Sequence, residues 1–197
     1  MKHLSFALLA GLAAVSPDAA LAHDAFGDLG PFYGALLHPL ADPAQGLILA
    51  GIAVLLARQS IASVRWAWIA LAVVGALTMG LGLLIPFAGP ELAVVALSAA
   101  GLGVLALTGL DLGRWPSIAL SVGAAVLAGL AVDLPDGPRA AGLAAFGGAV
   151  GIALGALLVW GLVDSLQSRF GRVAGAVAGS WIAAVGTMAT AFSLAGT

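Results

Sequence analysis

The residues best suited to chemistry in this chain sit close together, in one stretch from Ala22 to Gln45. That stretch contains His23, Asp24, Asp28, His38 and Asp42. Imidazole combined with carboxylate suits a divalent transition metal such as nickel, cobalt, copper or zinc. If the chain is processed after Ala22, His23 also offers its α-amine beside its ring, which makes a chelating pair. Two histidines do not close a site, so a carboxylate, water or a backbone carbonyl would complete it. The candidate metal ligands are therefore His23, Asp24, His38 and Asp42, with His38 the best placed. Cysteine is absent, which excludes thiolate metal sites, disulfides and cysteine nucleophiles.

Each of these residues has a second reading. Asp42 precedes Pro43, and Gln45 follows three residues on; this is the pattern of a helix N-cap, a proline at the first helical position and a capping-box partner. For Asp42, capping is favoured over ligation. His38 stands before Pro39, where the pattern predicts a break in the helix, and its ring could equally bond a freed carbonyl. His23, Asp24 and Asp28 also fit a solvated tail.

The elements that must position this stretch are membrane helices. Hydrophobic residues make up 62% of the 197 and charged residues only 8%, against about 25% in a soluble domain. Mean hydropathy is +1.14. Such a chain cannot cover a globule with charge, so lipid is its expected solvent. The net charge of −2 is scattered, and no basic run suggests nucleic acid as a partner. Lys2 and His3, the apolar run Leu4 to Val15 and the Ala20-Leu21-Ala22 site read as a secretory signal peptide over residues 1–22. Residues 23–197 then form one all-α domain, a polytopic bundle of about six transmembrane helices.

The six expected segments are Phe32 to Ala57, Val64 to Phe87, Leu92 to Leu110, Trp115 to Val132, Ala140 to Val163 and Val173 to Leu194. Pro86, Pro90, Pro116, Pro135 and Pro138 punctuate them. From Pro43 to Ala57 a helix is roughly 22 Å long, short of a hydrocarbon core of roughly 30 Å. The first segment should therefore be broken, with Phe32 to Leu37 adding a turn or two, and such breaks line cavities or lie within protein. Arg58, Arg65, Arg114, Arg169 and Arg172 fall in alternate loops, whereas the other loops hold Arg139 alone. That bias puts the five inside and both mature termini outside.

Two glycine trios, Gly147/Gly151/Gly155 and Gly171/Gly175/Gly179, each mark one helix face. Close packing within the chain is the plainer reading, and a homo-oligomer contact is the other. Trp66, Trp68, Trp115 and Trp160 are expected at the interfaces and Trp181 in packing. Inside the segments the polar residues are hydroxyls: Thr78, Ser98, Thr108, Ser121, Ser180, Thr187 and Thr190. Each is expected to bond a carbonyl of its own helix. No nucleophile–base or acidic pair lies within the segments, so an enzyme is not expected.

The start of the expected mature chain resembles the HupE/UreJ family, small bacterial membrane proteins associated with nickel supply to hydrogenase and urease. The resemblance rests on Ala22-His23, the Phe26-Gly27 and Pro31-Phe32-Tyr33-Gly34 stretch, and His38-Pro39-Leu40 entering the first segment. Better-known members carry His, five residues, then Asp-His. Here His38 is kept, and Ala44 and Gln45 occupy the Asp-His positions. Their Phe-His-Gly motif corresponds to Phe146-Gly147-Gly148. The resemblance implies a permease or uptake accessory for a nickel- or cobalt-type cation in the bacterial inner membrane, with capture near a periplasmic N-terminus. The only cofactor it implies is a transient nickel, cobalt or copper ion. A non-transporting scaffold for metalloenzyme assembly is the alternative.

Overall fold

The computed structural model describes residues 29–85 and 87–196. The expected signal peptide, His23, Asp24, Asp28 and the break at Pro86 lie outside the described residues. Among the described residues there are seven α-helices and no strand. They are α1 (Gly30–Ala41), α2 (Pro43–Leu56), α3 (Ile61–Gly82), α4 (Leu92–Thr108), α5 (Arg114–Leu130), α6 (Pro138–Phe170) and α7 (Val173–Ala195).

Three of them, α3, α6 and α7, are long and apolar enough to cross a membrane. The pair α1 and α2 passes the same test together but is bent by 71°. At 17 residues each, α4 and α5 are shorter. The outer surface is apolar in keeping with a lipid surround, with Leu158 at 73% and Phe192 at 71% exposure. Helix α6 runs seven residues past the apolar segment expected to end at Val163, because the polar turn that follows keeps helical backbone as far as Phe170.

The first segment is broken, at Asp42 rather than at His38. Pro43 disfavours helical backbone in the residue before it, and Asp42 is extended, with φ −93° and ψ 108°. Pro39 instead lies inside α1, whose last turn closes with the Asp42 N–H donating to the His38 carbonyl at 2.8 Å. The bend delivers α2 to the middle of the bundle, where it packs against α4, α5, α6 and α7. Ile48, Leu49 and every residue from Gly51 to Leu56 are buried.

Small residues set the helix spacing. A Cβ added to Gly103 would lie 2.6 Å from the Ala183 nitrogen, and one on Gly186 would lie 2.7 Å from the Ala96 carbonyl, so α4 and α7 touch backbone to backbone. Gly147 and Gly151 meet the Phe32 and Leu36 carbonyls of α1 in the same way. Gly179 faces Gly103, and Gly175 lies against the Arg58 side chain, whereas Gly171 has open space around it. Of the two trios, every glycine except Gly171 is thus faced by another part of this chain.

Six of the seven hydroxyls bond a carbonyl in the preceding turn, as Thr78 does with Val74 at 2.9 Å and Ser98 with Val94 at 2.7 Å. Ser121 differs: it is fully buried and its hydroxyl has no partner among the described residues. Trp181, expected in packing, faces outward at 68% exposure. Trp68 and Trp160 meet edge to face, with centroids 6.3 Å apart.

The arginine-bearing loops gather at one end of the bundle. Arg58 bonds the Arg172 carbonyl, and the Gln59 side chain spans the Leu110 carbonyl and the Leu112 N–H. On the same end Arg114 lies 4.6 Å from the Trp66 ring and Arg65 lies 5.5 Å from it.

Candidate functional site

At the other end of α2, the bend assembles a short polar chain. The Asp42 carboxylate accepts from the Ala44 N–H at 2.8 Å and the Gln45 N–H at 3.3 Å. This satisfies two of the donors that open every helix. Asp42 is thus the N-cap of α2, with Pro43 at its start.

Gln45 does not complete a capping box. Its side chain is fully buried and turns away from Asp42. The Nε2 group donates to the Ala128 carbonyl at 2.7 Å, and Oε1 lies 2.9 Å from His38 Nδ1. Ala128 belongs to the last turn of α5, where carbonyls have no partner within their own helix. One amide therefore ends α5, anchors α2 and orients the His38 ring. Because Gln45 Oε1 only accepts, His38 carries its proton on Nδ1 in this contact.

His38 and Asp42 come together through backbone, and His38 and Gln45 through side chains. Among the described residues no group of three His, Asp or Glu side chains converges. The ligands expected at His23 and Asp24 lie outside the described residues. Sequence reasoning places Gln45 in a capping role and misses its true partner, Ala128, which is 83 residues away. The one available signal was composition: an uncharged amide inside an otherwise apolar run must find a partner once buried.

Next to this chain, α3 and α5 leave a recess of about 270 Å³ between their ends. Thr78, Met79, Gly129 and Asp133 are among its lining residues. Asp133 is exposed, and Gly129 follows the Ala128 that Gln45 holds. No protein-family model matches this chain, and no curated protein or solved structure matches it.

Proposed function

We propose that this is a HupE/UreJ-like integral membrane protein that takes up, or helps take up, a transition-metal cation of the nickel or cobalt kind, with His38 as the capturing ligand. One observation carries the reading. Positions 38 and 45, where the resembled motif has its two histidines, lie seven residues apart but meet at 2.9 Å across the bend. A break that brings two such positions together suits a site that a cation must enter and leave. Asp42 and the N-terminal His23 and Asp24 are the further ligands of this reading. The bundle crosses the inner membrane six times after a cleaved signal peptide, with both mature termini periplasmic. The arginine-rich end then faces the cytoplasm.

The test is metal accumulation. Cells carrying the protein should take up nickel, cobalt or copper above a control, and His38→Ala should abolish the gain. Gln45→His would supply the second imidazole and should raise uptake of the same metal. No gain with any of the three metals would refute the proposal.

A second reading is a non-transporting scaffold for metalloenzyme assembly. What favours it is that Gln45 and the start of α2 already engage His38 and Asp42 within the chain. It predicts co-purification with a partner and unchanged metal flux.

A further inference from the structure

At the arginine-rich end, the C-terminus of α4, the start of α7 and the loop after α2 meet around two guanidinium groups. Arg58 passes between Gly109, the left-handed cap of α4 with φ 65°, and Gly175 in the first turn of α7. Its Nη1 donates to the Arg172 carbonyl at 2.5 Å, and Arg172 Nη2 donates to the Gly109 carbonyl at 3.4 Å. Both arginines therefore bond backbone only, and among the described residues no carboxylate pairs with either. Asp111, close by in sequence, is occupied with the Gly113 N–H at 3.1 Å. Arg58 Nε is buried and has no acceptor among the described residues.

The pair is electrostatically incomplete. Burial lowers the Arg58 pKa, and the neighbouring Arg172 charge lowers it further. Two like charges at the edge of a low-dielectric bundle repel unless an anion lies between them. The N-terminus of α7, 23 residues long, adds its positive dipole end beside Arg172. Guanidinium groups match phosphate oxygens in fork geometry. Basic pockets between helix ends are also where anionic headgroups bind membrane proteins.

We propose that Arg58 and Arg172 together hold a phosphate group, supplied by an anionic phospholipid of the surrounding leaflet. The full chain, purified in detergent, would be exposed separately to phosphatidylglycerol, phosphatidylcholine and inorganic phosphate. Retained lipid is read by native mass spectrometry and protection by thermal unfolding. Phosphatidylglycerol should be retained and should raise the unfolding temperature, while phosphatidylcholine, whose choline cancels the charge, should do neither. Arg172→Gln, which removes an exposed side chain with one long bond, should weaken retention about tenfold, the loss of one charge-assisted hydrogen bond. Arg58→Lys keeps the charge but loses the fork, and should weaken it comparably. Arg65→Gln removes a charge from the same end at a different place and should leave retention unchanged. Protection by inorganic phosphate alone would support the phosphate site and assign its ligand to solution instead of lipid. Two results overturn the proposal: no protection by any phosphate compound, or equal loss in Arg65→Gln and Arg172→Gln.

Discussion

Gln45→Leu separates the polar chain from the apolar packing around it, because leucine fills a similar volume and cannot bond. Two contacts disappear. The Ala128 carbonyl loses a 2.7 Å bond in a fully buried setting, and an unsatisfied buried acceptor costs about 1–3 kcal/mol. His38 is only partly buried, so its 2.9 Å contact is worth closer to the ~0.6 kcal/mol typical between membrane helices. Burial of the leucine offsets part of the sum. A net loss of about 2 kcal/mol is expected, roughly thirtyfold in the unfolding equilibrium. Reversible unfolding in mixed micelles reads this directly, with the five tryptophans as the probe. A double-mutant cycle with His38→Ala isolates the side-chain pair and should give a coupling of about 0.5–1 kcal/mol. A loss under about 0.5 kcal/mol, or no coupling, would mean that Gln45 does not join α2 to α5 and His38, and the site reasoning would fall.

Other substitutions probe the remaining joints. Asp42→Ala should cost about 1 kcal/mol and Asp42→Asn only a few tenths, measured by the same unfolding assay, since asparagine still caps. Gly151→Leu would drive a side chain into the Leu36 carbonyl, 2.5 Å from the Cβ position; it should detach α1 from α6 and expose α1 to protease. Gly123→Ala meets nothing within 4 Å and should be neutral or stabilising in the unfolding assay. Gln59→Leu removes the bonds to Leu110 and Leu112, and should speed amide exchange at Leu112 while leaving the His38 end unchanged.

The helices were legible wherever local chemistry decides them. Leu92 and Val173 begin helices as expected, since an apolar run bounded by proline, glycine or arginine leaves few alternatives. The break before α2 was legible for the same reason: Asp42 and Pro43 are a local signal that needs no partner elsewhere. The break expected at Pro39 does not form: α1 continues through that proline to Ala41, and the backbone turns only at Asp42, the residue before Pro43. Gln45 shows where sequence reading stops. Its spacing from Asp42 fits a capping box, yet a buried amide bonds whichever free carbonyl the tertiary fold brings up, and Ala128 is set by how α5 packs. Trp181 fails for a related reason: depth along a helix can be counted, but which side faces lipid depends on the partners. The two glycine trios gave the packing faces, while the helices that fill them, α1 and α4, come from elsewhere in the chain.

The central place of α2 has a consequence for how the protein is made. Its neighbours α4, α5, α6 and α7 all follow it in the chain, so none exists when α2 leaves the ribosome. With 14 residues it spans about 21 Å, too little to settle across a bilayer alone. The innermost helix is thus synthesised early and covered late, and it must wait, held against α1 or the insertion machinery, until α7 arrives. A chain stopped after α5 would carry α2 without its contacts to α6 and α7, and cellular quality control should remove it quickly.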